Sequence, residues 1–175
     1  LKSLVDGCKF LEKNKCKFVS IPCNTAHYWY EDLKKRIKIP ILNMPETVYL
    51  NTKRSCKKNS KIGLLATETT IRTGVYSRYF EKDYSLIFPP KRIQITSVNK
   101  SIKLVKRGKT KEAERALRKA INYMIKIDCK KIILGCTELP IAIFAYKSFK
   151  KAKRSKLFLD TNLLLAQASM RYYKK

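Results

Sequence analysis

The chain has one histidine and no C-x-x-C pair, although six cysteines stand in its 175 residues. Structural zinc sites draw on thiols and imidazoles paired at short spacing, so a zinc centre has poor support here. A disulfide framework is not expected either, in a chain of this size with no secretion signal at its start. Cys8, Cys16, Cys56 and Cys129 read as ordinary thiols, Cys129 as a small buried hydrophobe just ahead of a strand. Acidic residues are scarce, 13 against 40 Lys and Arg, for a net charge of +27. Such a surplus suits nucleic acid or an anionic membrane. The basic residues are mostly Lys and are spread along the whole chain. The densest run, Lys147 to Lys156, has six basic residues in ten but only Phe149 among them, without the basic–aromatic interleaving of a single-strand binder. The reading is a solvated basic surface, with nucleic acid not the expected partner. No apolar run approaches the roughly 20 residues that span a bilayer, so no membrane partner is expected.

What is present is an alternation. With 45% hydrophobic residues the chain can bury a core, and its length fits one large domain or two small lobes. Short runs rich in Ile, Leu and Val, at 17–21, 40–43, 61–66, 84–88, 131–134 and 157–159, read as strands covered on both faces. Helical patterns fall at 25–37, 45–55, 69–82, 109–127, 138–148 and 161–173. In 109–127 the core stripe is Ala113, Ala116, Leu117, Ala120, Ile121 and Met124, and Thr110 with Glu112 and Glu114 suits a helix N-terminus. The predicted fold class is α/β, with parallel sheets flanked by helices. The polar stretch 51–60 marks a boundary and 147–156 a return connection. A first lobe is expected over 1–55, completed by 156–175, and a second over 56–155. The chain opens on Leu1 and a helical pattern, Leu1 to Asn14, that leads straight into the first strand. The expectation is that a segment precedes it.

Two cysteines end strand candidates in near-matching contexts. The first lies in Val19-Ser20-Ile21-Pro22-Cys23-Asn24-Thr25-Ala26-His27, the second in Ile132-Ile133-Leu134-Gly135-Cys136-Thr137-Glu138-Leu139-Pro140. A residue at the carboxyl end of a parallel strand sits at the mouth of an α/β fold. A thiol at a helix N-terminus has its thiolate stabilised by free N–H groups, and the same groups can hold a substrate carboxylate. Asn24 or Thr25, and Thr137, are placed to cap the helices that follow. One such cysteine reads as an inert buried thiol. The two together suggest thiols facing one cleft, able to take a proton from one face of a carbon and return it to the other.

These segments resemble the two signature motifs of the aspartate/glutamate racemases. Ile39 to Met44 resembles the segment after the first signature. Gly63-Leu64-Leu65-Ala66-Thr67 through Thr70-Ile71, then Gly74-Val75-Tyr76, resembles the strand and loop opening the second lobe, and Asp160-Thr161 the closing strand-to-helix turn. Lys106-Arg107-Gly108 matches the lysine two residues before a glycine. The resemblance implies two similar lobes with the site between them. It implies cofactor-independent inversion at the α-carbon of aspartate, or glutamate, in a cytoplasmic homodimer. Cys23 and Cys136 would exchange the roles of base and acid. Asn24, Thr25 and Thr137 would hold the α-carboxylate or amino group, Thr67 and Thr70 would add hydroxyl contacts, and Lys106 would pair with a substrate carboxylate. Glu138, where glutamate racemases typically carry histidine, looks more like the aspartate branch. Other readings stay open beside these. Thr67 and Thr70 equally suit a helix cap, Lys106 a basic surface, His27 a packing role as well as an orienting one, and Glu138 a helix N-terminal acid. Trp29 and Tyr30 read as packing. The family's opening strand, glycine-rich turn and substrate-contacting arginine have no match in residues 1–22, so the first lobe is expected to be incomplete. The 175 residues alone are expected to be poorly active or inactive. The alternatives are an inactive racemase-like remnant or a basic nucleic-acid binder.

Overall fold

A computed structural model describes residues 1–144 and 156–174. Most of the basic run at 147–156, and the end of the helix expected over 138–148, lie outside the described residues. Among these residues the expected parallel α/β architecture is present, as two parallel sheets. The smaller pairs β1 (Val19–Ser20) with β2 (Ile41–Leu42). The larger has the order β4-β3-β5-β6, from β3 (Lys61–Ala66), β4 (Ser85–Ile87), β5 (Lys131–Gly135) and β6 (Phe158–Asp160).

The large sheet is buried on both faces, and its period-2 alternation sorts its side chains between two cores. Ile62, Leu64 and Ala66 of β3 and Ile133 of β5 face α3 (Met44–Lys53), the short α5 (Ser77–Phe80) and α10 (Thr161–Tyr173). Leu65, Ile132 and Leu134 face the other way, against α7 (Lys100–Lys106), α8 (Thr110–Lys126) and α9 (Glu138–Phe144). A third cluster, built on Val5, Cys8, Val19, Leu33 and Ile41, packs α1 (Lys2–Lys13) and α2 (Tyr30–Lys34) around the small sheet. The strand β6 hydrogen-bonds to β5 in the large sheet, while α10 behind it lies on α3 and β2.

Several local expectations are corrected. The stretch read as one helix over 25–37 is a 3-10 turn, Thr25–Trp29, followed by α2. The helix read over 69–82 is two: α4 (Glu68–Arg72) stops before Gly74, whose φ of +63° lies in the left-handed region that ends helices. Residues 91–106 form one continuous helical stretch that the hydrophobic pattern did not reveal: α6 (Lys91–Ile93), a π-helical segment Gln94–Asn99, and α7. Its buried side includes Gln94, Ser97 and Ser101, so polar residues interrupt the apolar stripe. Ser97 Oγ donates to Ala116 O at 2.5 Å and Ser101 Oγ to Ala113 O at 2.9 Å, two serine anchors onto α8. The N-cap of α8 is Lys109, with no side-chain cap.

Candidate active site

The register of the large sheet builds the site. Ala66 pairs with Gly135 and Leu134 with Asp160, so the next residues, Thr67, Cys136 and Thr161, emerge along one carboxyl-terminal edge. Each opens a helix: Thr67 caps α4 by accepting from Thr70 N, and Asp160 caps α10 by accepting from Asn162 N and Leu163 N. This edge is where open α/β sheets carry their ligands.

The Cys23 segment is brought onto that edge by a turn and by side-chain bonds. Cys23 N donates to Ile21 O at 2.8 Å, closing a three-residue turn around Pro22 and leaving Cys23 exposed. Thr25 Oγ1 lies 2.7 Å from Thr70 Oγ1 and 3.5 Å from Thr67 Oγ1, and those two hydroxyls are 2.9 Å apart. Asn24 Nδ2 donates to Thr161 Oγ1 at 3.3 Å, and Thr161 Oγ1 donates to Leu134 O at 3.1 Å, two residues before Cys136. Asn24 and Thr25 therefore spend their side chains on the large sheet's edge, not on capping the 3-10 turn as expected. The Asn24 amide is 3% exposed and also accepts from the Tyr76 hydroxyl. Tyr76 is a site neighbour whose role sequence reasoning missed, although its segment carried the family resemblance.

His27 has a pinning role. Met44 N donates to its Nε2 at 3.0 Å, so Nδ1 carries the proton and donates to Cys23 O at 2.9 Å. Burial holds its pKa below the usual imidazole value, against the backbone bonds that raise it. The neutral ring thus ties the Cys23 turn to the start of α3.

The second thiol stands in a different environment. Cys136 is 9% exposed, and its Sγ donates to Glu138 Oε2 at 2.9 Å. Thr137 Oγ1 donates to the same oxygen at 3.0 Å. Lys106 Nζ is 3.5 Å from Glu138 Oε1, with the lysine side chain 65% exposed. Burial, then the hydrogen bond to Glu138 and its charge, push the Cys136 thiol up to about 12. Glu138 itself is held below the usual carboxylate range: burial pushes it up, but the bonds it accepts from Cys136 and Thr137, with the Lys106 charge, outweigh that. Cys136 is thus a protonated thiol facing a carboxylate. Glu138→Gln removes the charge but not the burial. The Cys136 pKa should therefore fall while staying above that of an ordinary thiol. Alkylation of Cys136 at pH 8, followed by peptide mass spectrometry, should accelerate about tenfold, the change in thiolate fraction that one pKa unit brings. An unchanged rate–pH curve would show that Glu138 does not govern this thiol.

The remaining thiols lie elsewhere. Cys129 is buried as expected, and burial pushes it to about 11. Among the described residues, no group of three His, Cys, Asp or Glu is gathered that could hold a metal ion. Among the same residues, no helix is long and apolar enough to cross a membrane.

Comparison with known proteins gives a consistent picture. The family model described as Asp/Glu/Hydantoin racemase matches residues 2–168. The broad specificity amino-acid racemase of Bacillus subtilis is 28% identical over 138 residues, which cover 79% of this chain and 59% of that protein. The glutamate racemase of Aquifex pyrophilus is 30% identical over 143 residues, covering 80% and 53%. The chain thus spans little more than half the length of these curated relatives. Among solved structures, the aspartate racemase of Picrophilus torridus superposes with a TM-score of 0.80 at 28% identity, covering 98% of this chain and 68% of its own. An aspartate racemase homologue from Pyrococcus horikoshii has a TM-score of 0.80 at 23% identity, a likeness of fold alone.

Proposed function

Because the chain belongs to the Asp/Glu/Hydantoin racemase family, we propose that its site inverts the α-carbon of an acidic amino acid, with aspartate as the substrate. Cys23 and Cys136 are the two acid–base groups. The observation that carries this reading is the bonding of Asn24 and Thr25 to Thr161, Thr67 and Thr70. It lays the turn bearing Cys23 against the strand edge bearing Cys136.

The chemistry asks for a base in contact with a weakly acidic C–H and an acid on the opposite face. The environments divide those roles. Cys136, buried and hydrogen-bonded to a carboxylate, is held as the proton donor. Cys23, exposed on its turn, is the group free to act as base when the donor is Cys136. In the reverse direction Cys136 takes the proton and Cys23 returns one. The α-carboxylate sits at the helix starts that follow Thr67 and Cys136, where the positive end of each helix dipole favours an anion. Thr25, Thr67 and Thr70 line that approach with hydroxyls. Lys106 offers its exposed ammonium to the side-chain carboxylate and balances the Glu138 charge beside it. A dicarboxylic substrate is favoured because a neutral side chain would gain nothing from the Lys106 charge. The partner chain in this reading is a second copy, in a homodimer.

The test is deuterium uptake at the α-carbon of enantiopure aspartate in heavy water, by NMR, together with alkylation of Cys23 and Cys136 with and without aspartate. Label should enter at Cα while the opposite enantiomer accumulates, and aspartate should protect both thiols. The reading falls if the chain gives neither label above buffer nor protection of either thiol.

A further inference from the structure

Two phenols reach from the large-sheet half of the molecule to the two carboxamides at the carboxyl ends of the small sheet. The chain turns at Gly74 and then presents Tyr76 and Tyr79, three residues apart and so on one side of the short helix. Tyr76 donates to Asn24 Oδ1, four residues beyond the end of β1. Asn43, directly after β2, donates from Nδ2 to the Tyr79 hydroxyl at 2.8 Å, while its Oδ1 caps α3 by accepting from Glu46 N at 3.0 Å. The small sheet shares no strand pairing with the large one among the described residues. Its height over the catalytic edge is therefore set by side chains.

The directions of these bonds are mutually locked. Tyr76 is 1% exposed, and burial pushes its hydroxyl far above the ordinary phenol value, so it remains a donor. Thr161 gives its one proton to Leu134 O and so can only accept from Asn24; that turns Nδ2 of Asn24 toward Thr161 and Oδ1 toward the phenol, which must donate. One continuous chain of bonds thus runs from β5, just before Cys136, through Thr161 and Asn24 to Tyr76. It passes through the residue next to Cys23.

We infer that Tyr76 and Tyr79 latch the small sheet to the large one, and that Tyr76 is a positioning residue that holds Cys23 in place through Asn24. Asn24 serves the site as the middle link of the latch, its amide engaged on both sides. The catalytic half of this inference rests on the racemase reading; the latch itself does not.

The experiment is Tyr76→Phe, which keeps the ring and removes the hydroxyl, leaving a buried carbonyl oxygen without its donor. Backbone amide hydrogen exchange, followed by mass spectrometry on the full chain, needs no substrate. Exchange over 23–28 should rise at least tenfold, with β3 and α8 unchanged, and Tyr79→Phe should do the same over 43–48. Adding Thr161→Val to Tyr76→Phe should raise exchange over 23–28 less than the two single changes combined, since both act on one amide. In the α-deuteration assay Tyr76→Phe should lower kcat about tenfold or more with KM little changed. A uniform rise in exchange across the chain, or none over 23–28, overturns the latch. Local loosening with kcat unchanged overturns the positioning role. Local loosening in a chain that never labels aspartate leaves the latch standing and removes the chemistry.

Discussion

Alanine at Cys23 and, separately, at Cys136 is expected to cut inversion of aspartate by about two to four orders of magnitude, the range that a placed acid or base contributes. Either change leaves one face of the α-carbon without a proton carrier. The residual chemistry should differ in hand. A lone thiol can still remove the proton from its own face and return a solvent deuteron to that face, which labels one enantiomer without inverting it. The two variants should therefore label opposite enantiomers. They should also differ in rate. With Cys23 gone, the remaining base must come from a thiol raised to about 12, so residual labelling should be slower than in Cys136→Ala. Neither substitution threatens the fold. Cys23 is exposed, and Cys136 gives up only a small side chain at the sheet's edge. Inversion that survives either change at the unmutated rate would remove the two-thiol scheme.

Much of this was legible because it is local. A parallel strand buried on both faces announces itself as a short Ile/Leu/Val run, and all six strand candidates contain or overlap an observed strand. The edge of β3 was readable because Ala66 is followed by a capping threonine, and that of β6 because Leu159 is followed by Asp160 and Thr161. Cys23 and Cys136 stood out by where their runs ended. The capping role of Thr67, offered as an alternative to substrate contact, is realised, and the Thr67 hydroxyl still meets Thr25 and Thr70.

The parts that escaped are tertiary. The bond between Tyr76 and Asn24 joins residues 52 apart, and no spacing rule connects a phenol with a carboxamide at that distance. Asn24 looked like a helix cap because capping is its commonest local use. A buried partner far along the chain outweighed that local preference. Residues 91–106 failed the amphipathic test for a related reason. The helix buries serines against α8 carbonyls, and its π-helical segment shifts the side-chain period away from 3.6. The pairing of Cys136 with Glu138 was half legible. Glu138 stood two residues on as a helix-opening acid, but only the turn at the end of β5 brings its Oε2 to the sulfur.

Gly135→Ala tests how tightly that turn is built. A Cβ at position 135 would lie 2.8 Å from Leu64 Cδ1, 3.0 Å from Ala66 Cβ and 3.4 Å from Leu65 O. The leucine methyl can swing aside, but Ala66 is the strand partner of Gly135 and has nowhere to rotate. The strands must part at the edge that carries Cys136, and overpacking of this kind costs about 1–3 kcal/mol. The urea midpoint should fall accordingly, with the m-value unchanged. Activity should fall further than stability, because the displaced residue is the immediate neighbour of Cys136 and its carbonyl-side turn aims the sulfur. Leu64→Val shortens the side chain that meets the new methyl first. In combination with Gly135→Ala it should recover part of the lost stability, so that the two changes are less than additive. The contact with Ala66 persists, so recovery should stay incomplete and α-proton exchange should remain depressed. Full additivity of the two changes, or a Gly135→Ala variant with unaltered exchange, would show that close approach at Gly135 does not set the position of the Cys136 thiol.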